Sequence, residues 1–266
     1  MLRGFYTAAS GMIAQARQQE TLSNNIANIN TPGFKGDRGV LKAFPEMLME
    51  RMQTKQIPTQ RGLDVAANQR IGAMNTGVYV QEAIPDFSQG DLRETGVSTD
   101  MAIIQGAVPD ENGGLFFTIE KDGEERYTRN GNFTVDEQGY LVTNQGYYVL
   151  GNNGERIQTD GMEFTVGTNG NLELEGREVP LGIAYVENTN ELAKEGQDMF
   201  RGEGQPVPAN IPFSIQQGQL EGSNVDPMVT MTQMNESYRI YETNQRVLKA
   251  YDESMGKAVS EIGRIG

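Results

Sequence analysis

Apolar residues with a heptad-like spacing occupy both ends of this 266-residue chain. At the N-terminus they recur in steps of three or four, interrupted once by Gln19, which predicts an amphipathic helix. At the C-terminus, alternate steps of three and four continue over more than four heptads and predict a coiled-coil seam. The N-terminal stripe is Phe5, Ala9, Met12, Ala16, Leu22, Ile26 and Ile29, and the C-terminal seam is Met231, Met234, Tyr238, Tyr241, Gln245, Leu248, Asp252, Met255, Val259 and Ile262.

Two such stripes need partner surfaces, and two arrangements are open. The helices could pair with each other and close a core. Alternatively, they could pair within the chain and also stack against neighbouring copies. The polar residues Gln245 and Asp252 in the seam favour the second arrangement, because a buried polar residue sets the register of a coiled coil at a cost in stability.

The composition excludes several classes of enzyme. Cysteine and histidine are absent, which removes thiolate and imidazole metal ligands, cysteine nucleophiles and histidine-dependent triads. We therefore expect no cofactor and no metal site. No apolar run approaches the length of about 18 residues that a membrane span needs. The first ten residues contain one charge and no continuous apolar core, so we expect no cleaved signal peptide.

The net charge of −14 is unevenly distributed. Residues 79–205 contain 24 acidic and 8 basic side chains, whereas the rest of the chain contains 12 acidic and 14 basic ones. The middle is therefore expected to be a solvated, self-repelling surface, and the nearly neutral ends can crowd together. No basic patch is visible, which argues against nucleic-acid binding.

Turn residues divide the rest of the chain. The first helix is expected to run from Arg3 to Asn28 and to stop at the Pro and Gly of residues 30–33. Pro45 could open a short helix over residues 44–49. From about residue 77 to 200, short apolar runs alternate with turns, and Asn169-Gly170 is a strong hairpin signal. Residues 201–223 then return to cap candidates at 224–227.

The predicted fold class is α+β, with discontinuous, coiled-coil-like terminal helices and an inserted all-β domain. Residues 1–36 plus 224–266 would form the helical domain. Residues 37–78 plus 206–223 would form an extended connecting region, and residues 79–205 the β domain.

Three motifs carry a resemblance to a known family. The stretch SNNIANINTPGFK at residues 23–35 resembles the N-terminal signature of bacterial flagellar rod and hook proteins. GQLEGSNVDP at residues 218–227 looks like the stretch that precedes the C-terminal helix of that family, and YTRNGNFTVD at residues 127–136 with GYLVT at 139–143 resembles its β domain. The sequence looks most like the hook-basal body rod proteins of Bacillus-type bacteria. The signature residues are Asn24, Asn25, Asn28, Thr31, Gly33, Phe34, Ser223, Asn224 and Val225.

Residues 104–117 depart from the family pattern, which usually has a compact Asp-Gly-Asp-Gly-Phe-Phe stretch at this place. The departure leaves open which position in the rod the subunit fills. For Asn24, Asn25 and Asn28, local capping of the helix end is the alternative to a role in assembly.

The resemblance implies a self-assembling structural subunit of the axial rod of the flagellar basal body, in the cell envelope. It further implies export in an unfolded state by the flagellar type III apparatus, and contacts with copies of itself and with other rod and hook proteins. The terminal helices would form the inner tube and the β domain would face outward. The expected assembly interface consists of Phe5, Ala9, Met12, Leu22, Ile26, Ile29, Tyr238, Tyr241, Leu248, Met255, Val259 and Ile262.

Phe44 and Leu48 match the Phe-x-x-x-apolar element of export substrates in this class. The pattern is common by chance, and an ordinary buried short helix explains it equally well.

Two other functions are compatible with parts of the sequence. A peptidoglycan-cleaving enzyme needs only two suitably spaced carboxylates. The acidic residues here fall mainly in turns, as Asp122, Asp136 and Glu137 do, where solvation explains them, and we expect no enzyme. A surface adhesin or capping protein with a β head would keep the helices but would not polymerise.

Overall fold

Two long helices enclose a β-rich middle, as the computed structural model shows. It describes residues 2–57, 63–106, 110, 112–174 and 177–263. Helix α1 spans Leu2–Ala27 and helix α2 spans Pro227–Ile262. The predicted α+β class is confirmed, whereas the coiled-coil character of the helices stays a prediction.

The chain divides into two compact units. The helical unit comprises Met1–Leu22, Gly39–Ala83 and Thr232–Gly266, and the β unit comprises Ser23–Arg38 and Ile84–Met231. Among the described residues, neither helix combines the length and the apolar character that a membrane crossing requires.

The helix ends lie close to where the local signals placed them. After α1 the chain turns through Gly33, which has a φ of +66°, a conformation that glycine adopts without strain. At the start of α2, Asp226 Oδ1 accepts hydrogen bonds from the amides of Met228 (2.8 Å) and Val229 (3.0 Å). Pro227 is the first residue of the helix, where its missing N–H costs nothing.

A long hairpin dominates the strands that follow α1. Strand β1 (Asp37–Ala43) pairs with β4 (Val78–Pro85), and between them β2 (Met47–Ile57) pairs antiparallel with β3 (Leu63–Met74). The expectation of a short helix over residues 44–49 was therefore wrong. A one-turn helix is marginal without packing, whereas the pairing of β2 with β3 satisfies backbone groups by cross-strand hydrogen bonds.

In its described residues, the β unit has sixteen short strands and a short 3-10 turn at Thr189–Glu191. Every strand pair with a defined register is antiparallel, as the alternation of apolar runs and turns predicted. The strands are β5 (Leu92–Glu94), β6 (Met101–Gln105), β7 (Gly114–Lys121), β8 (Glu124–Thr128), β9 (Phe133–Val135), β10 (Leu141–Thr143), β11 (Tyr148–Val149), β12 (Thr165–Val166), β13 (Asn171–Leu174), β14 (Arg177–Pro180), β15 (Ile183–Val186), β16 (Ala193–Glu195), β17 (Met199–Arg201), β18 (Gln205–Pro206), β19 (Phe213–Gln217) and β20 (Gln219–Glu221).

The largest sheet has the strand order β16-β17-β8-β7-β11-β10-β9, and β15 joins it to β18 by pairing with β7. The hairpin at Asn169-Gly170 is confirmed: β12 and β13 pair across a four-residue loop in which Gly170 has a φ of +84°.

Two apolar clusters fill the β unit. The larger one contains fully buried residues from several strands, among them Phe117, Leu141 and Val149. A smaller cluster packs Phe116 and Phe200 against each other, with ring centroids 5.9 Å apart. The segments that join the helices are attached to this packed core.

Candidate assembly site

Glycines on α1 allow it to pack closely against α2 in the helical unit. A Cβ atom at Gly4 would overlap the ring of Tyr251, and one at Gly11 would lie 2.9 Å from Asn244 Nδ2. Ser237 Oγ donates a hydrogen bond of 3.1 Å to the carbonyl of Gln15. Residues later in α1 therefore contact residues earlier in α2, so the two helices are antiparallel.

The shielded face of α2 has a seven-residue period. Partly or fully buried residues alternate in steps of three and four, in the series Met234, Ser237, Tyr241, Asn244, Leu248, Tyr251, Met255 and Ala258. This series shares Tyr241, Leu248 and Met255 with the interface expected from the sequence. Its other half lies one residue earlier than expected, at the small or polar positions Ser237 and Asn244 instead of 238 and 245.

Some large residues of the expected seam are turned outward. Tyr238 is 54% exposed and Val259 is 73% exposed. Gln245 and Asp252 are exposed too, so they do not lie between the two helices of one chain, and their role in contacts with neighbouring copies stays a prediction. The shielded face thus combines small and polar residues with large ones, and Tyr238 and Val259 remain on its flank. The side chain of Ile262 lies outside the described residues.

On α1, the expected stripe is only partly shielded. Leu22 is buried, whereas Phe5, Ala9, Met12, Ile26 and Ile29 are half-buried. Ala8 and Ala14 are the other buried apolar residues of the helix, and Tyr6 (64% exposed) and Ile13 (56%) face solvent.

Asn25 ties the end of α1 to the strand that follows. Its side-chain Nδ2 donates to the carbonyl of Asp37 (2.8 Å), and its Oδ1 accepts from the amide of the same residue (2.9 Å). Because the side chain is buried, both halves of its amide group need these partners.

The neighbouring signature residues hold the turn itself. Asn28 Nδ2 donates to the carbonyl of Asn24 (2.9 Å), and Asn28 Oδ1 accepts from the hydroxyl of Thr31 (3.1 Å). Asn24, by contrast, has an exposed side chain. Buried Asn28 therefore stabilises the helix end and the turn after it by local hydrogen bonds.

Asn224 links three segments ahead of α2. Its Oδ1 accepts from the amide of Gly36 (2.8 Å), while its Nδ2 donates to the carbonyl of Asp86 (2.7 Å). Ser223 Oγ accepts from the amide of Val225 (3.3 Å), and a Cβ at Gly36 would lie 2.8 Å from Val225 Cγ2. The signature residues before α2 thus contact those after α1.

Gly33 and Phe34 seat the turn on the β unit. The amide of Gly33 donates to the carbonyl of Glu221 (2.8 Å), and a Cβ at Gly33 would overlap the peptide between Arg129 and Asn130. Phe34 is fully buried, and Lys194 Nζ lies 4.2 Å from its ring centroid.

A buried ionic group joins the three sequence motifs. Lys35 Nζ lies 2.6 Å from Glu221 Oε1 and donates to the carbonyl of Ser88 (2.7 Å). Arg129 Nε lies 3.5 Å from Glu221 Oε2. Burial lowers the pKa of Lys35, although Glu221 opposes the shift, and burial likewise lowers the pKa of Arg129.

The sequence did not predict this ionic group. All three charged residues lie inside the quoted motifs, but nothing in a linear sequence shows that they meet. Removing one member would leave a buried charge without its partner, which is strongly destabilising. We refer to residues 23–37, 86–90, 129–130 and 220–225 together as the junction.

The candidate export residues are on the surface of the helical unit. Phe44 is 39% exposed, and its ring centroid lies 5.3 Å from that of Tyr79. Leu48, which is 55% exposed, belongs to β2. The carboxylates considered for catalysis lie in turns: Asp122 and Glu137 are exposed, and Asp136 accepts from the amide of Tyr140. Within the described part of the chain, no group of three or more acidic residues could hold a metal ion.

Three family models match this chain at the elements just described. The model for flagella basal body rod protein matches residues 5–35, which contain most of α1 and the turn after it. The model for the D1 domain of flagellar hook protein FlgE/F/G matches residues 112–174 of the β unit. The model for the C-terminal part of flagellar basal body rod FlgEFG protein matches residues 216–261.

Curated relatives match along their whole length. The chain is 40% identical to flagellar hook-basal body complex protein FlhO of Bacillus subtilis, over 100% of both chains. It is 32% identical to flagellar basal-body rod protein FlgF of Caulobacter vibrioides, again over 100% of both. The chain belongs to the flagellar basal-body rod protein family. A further rod-family protein, FlgG of Borreliella burgdorferi, is 32% identical over 97% of this chain and 98% of its own.

The matched family models overlap the junction. The two terminal rod-family models contain the signature residues on both sides of the junction, and the D1 model contains Arg129. The resemblance to rod and hook proteins is therefore confirmed. Part of the divergent segment, residues 107–109 and 111, lies outside the described residues.

Proposed function

We propose that this rod-family protein is a structural subunit of the flagellar basal-body rod, the axial shaft that links the motor to the hook. The observation that carries the proposal is the full-length similarity to basal-body rod proteins, which includes both terminal helices and the β unit. The rod family is a family of structural proteins, so neither a peptidoglycan-cleaving enzyme nor an adhesin is favoured.

The subunits would assemble through their terminal helices into a helical tube, in contact with copies of themselves and with other rod and hook proteins. Exposed apolar residues on both helices support this proposal, since much of their surface faces solvent in the single chain: Tyr6, Ile13, Tyr238 and Val259. Shielded residues such as Leu248 would instead keep the two helices of one subunit together. The predicted three-part division would then separate a tube-forming domain, a connecting region and an outward-facing β domain.

Export would proceed through the flagellar type III apparatus. Phe44 and Leu48 support an export element in that both are surface-exposed and spaced as the element requires. The assembled protein would be located in the flagellar basal body, in the cell envelope.

Electron microscopy of hook-basal bodies tests the proposed function. An in-frame deletion of the gene is expected to give missing or truncated rods and no hooks, and a complementing copy should restore both. Intact basal bodies in the deletion strain would overturn the assignment and would bring the enzyme and adhesin alternatives forward.

A further inference from the structure

A surface groove lies on the outer side of α1 in the helical unit. It has a volume of about 460 Å³ and is lined mainly by apolar surface from Tyr6, Ala9, Ile13 and Phe44. The wall opposite the helix is held in place, because Thr7 Oγ1 donates to the carbonyl of Thr76 (2.9 Å) at the base of the hairpin. The groove is thus a preformed feature of the unit.

The groove belongs to a longer stripe along α1. Arg3, Tyr6, Ser10, Ile13 and Arg17 follow one another in steps of three, four, three and four residues, so they share one helix face. All are exposed except Ser10, which is half-buried. Tyr6 and Ile13 are two turns apart, about 10.5 Å along the axis.

A second exposed stripe runs along α2. Glu236, Ile240, Thr243, Val247 and Ala250 follow in steps of four, three, four and three, and all five are exposed. Ile240 is 40% exposed and Val247 is 38% exposed. This stripe lies beside the face that packs against α1 of the same chain, so it remains free for another partner.

We propose that the α2 stripe of one copy docks antiparallel into the α1 groove of a second copy. This inference rests on the proposed function, self-assembly, and names the surfaces that perform it. When Val247 is placed opposite Tyr6, Ile240 falls opposite Ile13. The step pattern of α2, read backwards, is three, four, three, four, which matches α1 at every position. In the parallel orientation the two patterns match only after a shift by one position, and Ile240 and Val247 then face arginine and serine side chains of α1.

Charge and size agree with the antiparallel register. It places Glu236 opposite Arg17, and Thr243 opposite Ser10, a small residue that lines the groove. Among the described residues neither Glu236 nor Arg17 has an ion pair within its own chain. Opposite charges at the edge of an apolar contact set its orientation and register.

The two stripes are different surfaces, so the contact is heterologous: each copy offers one groove and one ridge. A heterologous contact that does not close on itself generates an open helical polymer instead of a dimer. Grooves commonly recognise a helix through apolar anchor residues on one of its faces, including anchors seven residues apart.

Disulfide cross-linking tests the register, since the natural chain contains no cysteine. Two differently tagged copies, one with Ile13→Cys and one with Ile240→Cys, are produced together in the deletion strain, and their basal bodies are oxidised. We expect a cross-linked product that contains both tags, and a ladder of larger products when both substitutions are in one chain. Tyr6→Cys with Ile240→Cys is the matched control, and its yield should be severalfold lower.

Charge reversal gives a second readout that does not need cysteine. Arg17→Glu and Glu236→Arg should each lower the amount of protein in basal bodies, and the double variant should restore it. A dominant Ile13–Ile13 product, an equal Tyr6–Ile240 product, or absence of the Ile13–Ile240 product from basal bodies that contain the protein would overturn this register while leaving the rod function intact. Intact rods in the deletion strain would overturn both.

Discussion

Single residues of the junction show why this part of the sequence is so specific. Asn25 must both donate to and accept from the backbone of one residue, Asp37, and aspartate or alanine cannot do both. Phe34 is fully buried next to Lys35, whose charge is balanced by Glu221. Each residue has a defined partner inside the subunit, so the signature acts first on folding, and through folding on assembly.

Gly33→Ala should lower the free energy of unfolding by about 1–3 kcal/mol more than Gly154→Ala does, as measured by urea denaturation. Both glycines have positive φ angles, +66° and +75°. A Cβ at Gly33 would overlap the backbone of Arg129, whereas one at Gly154 would meet nothing within 4 Å. The comparison with Gly154→Ala therefore removes the cost of placing alanine at a positive φ. Equal losses of stability in the two variants would show that the structure relieves the overlap at Gly33.

Among the elements, α2 shows the limit of a heptad pattern. Alternate steps of three and four are satisfied both by positions 234, 238, 241, 245 and by 234, 237, 241, 244. The hydrophobicity of Tyr238 favoured the first series, but Gly11 brings the backbone of α1 so close that Ser237 and Asn244 pack there instead. A pattern within one helix cannot report the shape of its partner.

Gly11→Leu should destabilise the contact between the two helices, because the added side chain meets Asn244. Gly256→Leu should instead stabilise α2 by about 0.8 kcal/mol, since leucine has the higher helix propensity and a Cβ at this position meets nothing within 4 Å. Thermal unfolding followed by the helical circular dichroism signal measures both. The same sign for both substitutions would argue against close packing at Gly11.

A salt-bridge network ties β16 to β7 and β8. Glu195 lies 2.7 Å from Lys121 and 2.6 Å from Arg126. Hydrogen bonds from these two cations lower the pKa of Glu195 from 4.5 to about 2.

The stabilisation from Glu195 should be complete above about pH 5 and should be lost as the pH falls from about 4.5 to 2. The sign follows because a carboxyl with a lowered pKa in the folded state binds its proton first in the unfolded chain. Glu195→Gln should therefore reduce stability at neutral pH and flatten its decline below pH 5. Glu203→Gln is the control, since Glu203 is exposed. Parallel pH profiles for the natural protein and Glu195→Gln would contradict the assignment.

At the scale of the whole molecule, charge and apolar surface are separated. Residues 79–205 carry the acidic excess. The exposed apolar stripes proposed to mediate assembly lie on the helical unit, to which both ends of the chain contribute. A polymer that contacts itself through the helices would keep its mutually repelling acidic surfaces out of the contact.

Leu248→Asp should block incorporation into basal bodies while the β unit stays folded. The half-buried side chain belongs to the shielded face of α2, and a carboxylate there would lose hydration without gaining a partner. Immunoblots of isolated basal bodies measure incorporation, and limited proteolysis of the purified protein measures the integrity of the β unit. Asn235→Asp, on an exposed position of the same helix, controls for the added charge. Normal rods that contain the Leu248 variant would contradict the helix-based assembly.

The sequence by itself determined the two helices, their ends, the antiparallel character of the middle and the family. Those features follow from local signals: residue spacing, Pro and Gly at turns, and contiguous motifs. Only the tertiary structure decided which side of α2 faces α1, that β2 pairs with β3, and that Lys35 meets Glu221, 186 positions away. These outcomes depend on how closely two backbones approach and on which charges are buried together, and neither quantity is encoded within a single segment of the chain.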